Sequence, residues 1–363
     1  MAINGCCEAT NPDLIGVVAP AGADLASATP LDRRTALKSI LGLAGVMWVS
    51  ACGPKPQGEA TRLRLAFCGQ LLCVVPYEVA RARGHFAAQG FDIELVYTRG
   101  GNAAMQALVG GAVEYAGTSF DVALQAAANG AAIRRFASTG RLPLFALAVS
   151  PQKADAIKTV KDLEGTTVGI SGLGNADHAL LLYMLDQAGA DASKVSFAAI
   201  GTNLFDVLRI GQVDAAMLQE PALTLIAAAG GRELVNFMEI EQSRAQLGGP
   251  YEFMGVSVRA AERDARLPEM RRVAQALANG LSDTRSIPVD EIMAALPDAL
   301  LAGSDAAQLK QIIERYRLSL YPENTTMDLD SVRRVVRAQE IADLLKPGAV
   351  DLDALLDTAA TGS

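Results

Sequence analysis

The chain has 363 residues, of which 50% are hydrophobic, and carries a net charge of −8, with a mean hydropathy of +0.22 and a pI near 5.0. Its apolar content and the lack of a sustained repeat exclude disorder and collagen-like or coiled-coil fibres. Its length suits two domains with cores of their own, at about 100–200 residues each. The acidic balance argues against nucleic acid as a partner, because phosphate binding needs a basic footprint. Only 2 His and 5 Cys leave little material for a zinc or haem site, and no metal or cofactor is expected.

The first recognisable feature is an export address. Arg33, Arg34 and Lys38 precede an apolar run over residues 40–49, followed by Ser50, Ala51, Cys52 and Gly53. The run is too short to cross a hydrocarbon core of about 30 Å as a helix. A basic zone, a short apolar zone and small residues, in that order, read as a secretory signal. Val49-Ser50-Ala51-Cys52 resembles the lipobox of bacterial lipoproteins, which implies lipidation of Cys52 as the first mature residue. Arg33-Arg34-Thr35-Ala36-Leu37-Lys38 resembles a twin-arginine signal with Ala36 at the usual Phe position, so the export route stays open. The expectation is a signal over 1–51, a polar tether over 52–61, and a periplasmic protein held at the inner membrane by its lipid. Trp48 falls in the signal, so the mature chain has no Trp.

From Arg62 strands and helices alternate. Strands are predicted over 63–67, 91–97 and 113–117, with helices over 76–86, 103–109 and 120–129. The first helix is taken to open with Pro76 in its first turn, which leaves Leu71-Leu72-Cys73-Val74-Val75 as an apolar loop. The rhythm resumes with strands over 167–171, 195–199 and 214–218 and helices over 176–188 and 204–210. This is the βαβ order of parallel α/β sheets.

Two stretches repeat at an offset of 100. Gly101, Leu108, Gly111, Val113, Glu114 and Ala116 match Gly201, Leu208, Gly211, Val213, Asp214 and Ala216. Each reads as a helix ended by a glycine, then a Val-acid start to a buried strand. Apolar stretches over 143–149 and 252–258 bracket the second copy and suit a chain that crosses into a second lobe and returns. The predicted architecture is a bilobed α/β fold: lobe one over 62–145 plus 256–363, lobe two over 146–255. Amphipathic helices over 270–282, 290–296, 305–317 and 329–345 are expected to pack on lobe one, with Pro268 among the boundaries.

In open α/β sheets ligands bind at the carboxyl ends of the strands. The loops there come in pairs: Cys68-Gly69-Gln70 with Ser171 to Asn175, Arg99 to Asn102 with Gly201-Thr202-Asn203, and Thr118-Ser119 with Gln219-Glu220-Pro221. Several open helices, whose free N–H groups attract anions.

These segments carry a resemblance. Gly100-Gly101-Asn102 with the stretch ending at Glu114, residues 160–169, Gly172 to His178, and Gly211 through Glu220-Pro221 resemble the ABC-transporter substrate-binding proteins of the sulfonate, taurine and nitrate type, a family that includes binders of thiamine pyrimidine precursors. The resemblance covers most of 62–239. It implies a monomeric, non-catalytic protein that closes on a small molecule and delivers it to a membrane permease. A small organic anion, sulfonate or carboxylate, is the expected ligand, with a nitrogen heterocycle as the alternative. A pyrimidine synthase on the same fold is a rival, but it needs a Cys-rich iron motif that Cys68 and Cys73 are too sparse to supply. A ligand-sensing lipoprotein without a transporter is the other.

The candidate ligand contacts are Cys68, Gln70, Tyr77, Arg99, Asn102, Thr118, Ser119, Arg141, Ser171, Gly174, Asn175, His178, Asn203 and Glu220. Arg99 or Arg141 could pair with an anionic head by its planar fork; Glu220 or Asp177 would suit a ligand amine. Ser171, Asn175 and Ser119 serve equally as helix caps that need no ligand. Cys68 and Cys73, five residues apart, are a candidate disulfide in an oxidising compartment.

Overall fold

A computed structural model describes residues 60–301 and 305–362. The signal, Cys52 and all but the end of the tether lie outside the described residues. Lobe one opens with β1 (Thr61–Cys68), α1 (Leu71–Ala82), α2 (His85–Ala88), β2 (Phe91–Thr98), α3 (Gly101–Val109), β3 (Tyr115–Ser119), α4 (Phe120–Ala128) and β4 (Ile133–Ser138). The chain crosses into β5 (Ala146–Val149), β6 (Thr167–Ile170), α5 (Ala176–Gln187), β7 (Ser196–Ala199), α6 (Leu204–Arg209), β8 (Ala215–Leu218), α7 (Ala222–Ala228), β9 (Arg232–Asn236) and α8 (Ile240–Leu247). It returns through β10 (Met254–Arg259) to α9 (Arg263–Ser286), α10 (Val289–Ala295), α11 (Asp298–Leu301), α12 (Ala306–Leu320), α13 (Leu329–Ile341) and α14 (Leu352–Leu355). Thr61, placed in the tether by sequence, already belongs to β1.

Each lobe holds one five-stranded sheet, ordered β2-β1-β3-β10-β4 and β7-β6-β8-β5-β9. The three leading strands of each are parallel; β10 and β5 run antiparallel to both neighbours. β10, which follows all of lobe two in the chain, inserts between β3 and β4, so the first sheet is completed only after lobe two, whereas the second is built from the consecutive strands β5 to β9. The register slips at Val256/Ser257 in one sheet and at Leu147/Ala148 in the other, the same place in each plan.

The repeat at offset 100 is a repeat of hydrogen bonds. Gly111 and Gly211 are left-handed, at φ +76° and +75°. Their N–H groups donate to the carbonyls of Leu108 and Leu208, and Ala112 and Gln212 donate back to Ala107 and Val207. This pair of hydrogen bonds closes the C-terminus of a helix and requires a residue without a Cβ penalty. The acids then start the strands: Glu114 accepts from the Arg64 N–H at 2.7 Å, and Asp214 from the Thr167 N–H at 2.9 Å. Each carboxylate thus takes up the donor at the mouth of its parallel pair.

Two expectations are corrected at prolines. Residues 71–75 are not a loop; α1 begins at Leu71, and Pro76 is its sixth residue. A proline there has no N–H for the carbonyl of Leu72. That carbonyl accepts instead from the buried hydroxyl of Tyr321 at 2.8 Å. The helix is buried along residues 71–80, Glu78 included, because it is covered by β1 and by α9, where a Cβ on Gly280 would stand 2.6 Å from that of Ala80. Pro268 likewise is no boundary; it is the sixth residue of α9 and is exposed, so water can reach the carbonyl it leaves free.

β4 and β9 are sheet-edge strands that the sequence reading passed over, because Arg134, Arg135, Arg232 and Glu233 interrupt their apolar pattern. α9 packs on lobe one, against α1 and α2. The later helices also reach lobe two: Tyr316 and Ser319 of α12 hydrogen-bond to Asn236 and Met238, and α13 packs on α5.

Candidate functional site

The carboxyl ends of both parallel sets face one cleft. One part of it, about 160 Å³, is walled by the first turns of α1, α3, α4 and α5. An adjoining part of about 560 Å³ continues along lobe two past Phe205, Met217 and Leu218 to Leu300 of α11. Gln70, Arg99, Phe145, Asn175 and Gln219 border both.

Each wall follows from a local cap. Gly100, at φ +126°, turns the chain from β2 into α3, a conformation that side chains avoid. The Thr98 hydroxyl holds that turn by donating to the Gly100 carbonyl at 2.9 Å. Ser119 caps α4 by accepting from the Val122 N–H at 3.4 Å. Asn175 stands at the N-cap position of α5 without bonding the helix N–H groups; its side-chain amide donates instead to the Ser171 hydroxyl oxygen at 3.0 Å. Four helix N-termini thus direct partial positive charge at one space, each favouring an anion by about 0.3–1 kcal/mol.

Arg99 adds a full charge. It is exposed in the cleft and, among the described residues, has no ion-pair or hydrogen-bond partner. The nearby carboxylates are committed elsewhere. Asp177 accepts from the Ser171 N–H at 2.5 Å and hydroxyl at 2.7 Å. Glu220 accepts from the N–H and hydroxyl of Thr224, each at 3.0 Å, and from the hydroxyl of Tyr316 at 3.2 Å. Burial pushes both acids above the usual carboxylate range, and these donors pull them part of the way back. Their negative charge is thereby partly spent before any ligand arrives.

The floor is aromatic. Phe145 and Phe253, one from each crossover, meet edge to face with centroids 5.9 Å apart. Beneath Phe253 lies a fully buried arginine. Arg135 donates to the carbonyls of Thr118 at 2.9 Å and Phe253 at 3.0 Å, and stands 3.7 Å from Glu252. Its guanidinium crosses Gly255, where a Cβ would be 2.6 Å from Nη2. Burial pushes Glu252 up to about 7 against the pull of Arg135. Burial also raises Asp121 to about 6, although Gln339 and Tyr251 donate to it.

Of the candidates from sequence, Cys68, Gln70, Arg99, Asn102, Ser119, Ser171, Asn175 and Glu220 border the cleft. Six others do not line it. Tyr77 is in the core, stacked on Phe67, with its hydroxyl 2.9 Å from Thr139 Oγ1. Thr118 is fully buried against Arg135. Arg141 donates to the carbonyls of Leu318 at 2.7 Å and Ser319 at 2.9 Å, neutralising the C-terminus of α12. The N–H of Gly174 is used by Nδ1 of His178 at 3.1 Å, and that ring packs against Phe197. Burial lowers the basicity of His178. Asn203 is exposed beside the cleft, which its neighbours Thr202, Leu204 and Phe205 line instead. Cys68 and Cys73 border the cleft as free, buried thiols, without the candidate bridge.

Phe145, Phe253 and Met254 were missed, although they lie in the two crossover stretches that the sequence marked. A crossover between lobes has to pass under the cleft, and its largest side chains were the available signal.

Two mixed sheets, each with one antiparallel strand that directly follows a crossover, facing each other over a cleft, define the periplasmic-binding-protein fold. The family model described as NMT1/THI5 like matches residues 74–290, well over half of the chain, and the chain belongs to that family. Solved structures share the fold. A protein from Bordetella bronchiseptica is 24% identical, with a TM-score of 0.72 over 84% of this chain and 96% of that one. The alkanesulfonate-binding protein SsuA from Xanthomonas axonopodis pv. citri, bound to MOPS, is 19% identical, with a TM-score of 0.64 over 83% and 99%. The periplasmic aliphatic sulphonate binding protein SsuA from Escherichia coli is 20% identical, with a TM-score of 0.62 over 81% and 91%. No curated protein matches the chain.

Proposed function

We propose that this chain is the solute-binding component of an ABC importer, lipid-anchored at Cys52 on the periplasmic face of the inner membrane, and that it binds a small organic anion without transforming it. The observation that carries this is Arg99, a cation without a partner among the described residues, at the meeting of four helix N-termini. A sulfonate or carboxylate head would lie there, within reach of Gln70, Asn102, Ser119 and Asn175, with its apolar part on Phe145 and Phe253. The protein closes as a monomer, its two lobes folding around the ligand, and the permease takes the closed form. The two sulfonate-binding proteins of the same fold support this ligand class.

A nitrogen heterocycle is the second reading, favoured by the side-chain amides of Gln70, Asn102, Asn175 and Gln219 around an aromatic floor. Titration calorimetry with alkanesulfonates, taurine, nitrate, aromatic carboxylates and aminopyrimidines separates the two. Binding of a sulfonate or carboxylate, weakened by salt, is the expected result. Binding of aminopyrimidines alone would transfer the assignment to the second reading, and no heat with any of them would overturn both.

A further inference from the structure

Two side chains in the wall of the cleft have no task in ligand capture as described. Cys68 ends β1, and Cys73 is the third residue of α1. The Cys73 N–H donates to the Gln70 carbonyl at 3.0 Å, so the turn at Gly69-Gln70 folds the strand end back beside the first helical turn. Both cysteines border the same cavity, and both are free, 8% and 3% exposed. Their surroundings are apolar: Leu71, Leu72, Val74 and Val75 are buried on either side.

The two thiols act on each other. Their interaction draws Cys68 below the usual thiol range against the effect of burial; the same interaction, together with burial, pushes Cys73 well above it. Cys68 is also the more exposed of the pair, so a disulfide entering the cleft meets it first. Nucleophilicity belongs to the thiolate, and a neighbouring thiol can resolve a mixed disulfide.

We propose that Cys68 and Cys73 form a dithiol redox site opening on the ligand cleft, which a small disulfide entering the cleft converts into an intramolecular disulfide. The Cys68 thiolate attacks one sulfur of the small disulfide, a mixed disulfide forms, and one small thiolate leaves. Cys73 then gives its proton to that thiolate and attacks the Cys68 sulfur, which expels the second small thiolate; this one takes from solvent the proton that Cys68 released there on becoming a thiolate. Two protein thiols and one disulfide become one protein disulfide and two small thiols: the cysteines are oxidised and the small disulfide reduced. The bridge ties the end of β1 to the first turn of α1 and stiffens the Gly69-Gln70 edge. Its bearing on ligand uptake rests on the proposed binding role; the chemistry does not.

The experiment uses the full chain, reduced, freed of reductant and exposed to glutathione disulfide without ligand. After acid quenching, both cysteines fall in the single tryptic peptide 65–81. Loss of two hydrogens from that peptide, preceded by a glutathione adduct on Cys68, is the expected course. The Cys73→Ser chain should halt at the Cys68 adduct, and Cys68→Ser should react far more slowly. Both cysteines still open to alkylation in the native chain, under conditions that bridge them after denaturation, would overturn the site. Faster adduct formation on Cys73 in Cys68→Ser than on Cys68 in Cys73→Ser would overturn the assigned roles. The wild-type arm decides the first question even if a variant does not fold. Ligand calorimetry on the reduced chain is separate, so failure of the bridge and failure of the binding role are distinguishable.

Discussion

The side-chain amide of Asn102 donates to the side-chain oxygen of Asn175 at 3.4 Å. Asn102 lies in the first turn of α3 in lobe one and Asn175 stands at the N-cap position of α5 in lobe two, so this bond spans the cleft. It is long, and contributes about 0.5–1 kcal/mol to the closed arrangement. Asn102→Ala is expected to lower affinity about two- to fivefold and to enlarge the ligand-free molecule in small-angle scattering. Unchanged dimensions and affinity would show that the bond does not hold the lobes. Asn102 is the better position to vary, since Asn175 also bonds Ser171.

Arg99→Gln tests the anion reading directly. A charge-assisted hydrogen bond is worth about 1.5–3 kcal/mol, so affinity for a sulfonate or carboxylate should fall about 10- to 100-fold. The melting temperature should stay put, because Arg99 is exposed and pairs with nothing among the described residues. The residual binding should also lose part of its salt dependence. Equal affinity in both proteins, measured by calorimetry at low salt, would remove Arg99 from the site.

Tyr321 and Pro76 should be coupled. Tyr321→Phe strips the Leu72 carbonyl of its donor and is expected to cost about 1–3 kcal/mol in urea unfolding. Pro76→Ala supplies a backbone N–H at the helical distance from the same carbonyl. In that background the Tyr321→Phe penalty should shrink, giving a coupling energy in a double-mutant cycle. A penalty of the same size in both backgrounds would mean that the hydroxyl does not stand in for the missing helix bond.

Glu252 and Asp121 set a pH dependence. Burial raises them from ordinary values of 4.5 and 3.8 to about 7 and about 6. The folded chain thus holds these protons more tightly than the unfolded chain. Their favourable contribution is complete below about pH 4 and is lost as pH rises through 6 and 7, by about 1–3 kcal/mol per group. Stability measured by chemical unfolding should fall between pH 5 and 8, and Glu252→Gln should flatten that slope. A slope that Glu252→Gln leaves intact would show that Glu252 does not titrate there.

Much of the architecture is legible locally. The Gly111 and Gly211 caps, the acids at 114 and 214, and the alternation of strand and helix all report bonds made within a few residues or between neighbouring strands. Caps and periods are properties of short windows, so the repeat by itself encodes two lobes of one plan. The same windows marked the strand-end loops, and with them Gln70, Arg99, Asn102, Ser119 and Asn175 at the cleft.

The remainder depended on groups brought from far along the chain. Residues 71–75 continue as helix up to Pro76, and the carbonyl that this proline leaves open is satisfied by Tyr321, distant in sequence. Arg141 turned from the cleft to the end of α12, and Thr118 to the buried Arg135. Phe145 and Phe253 became a floor only when the two crossovers met. A backbone's conformation is selected mostly by its neighbours, whereas a polar side chain goes to whichever donor or acceptor packing leaves unpaired. The sequence therefore determined the lobes and the position of their mouths; only the tertiary structure decided which of its polar residues were left free to face the cleft.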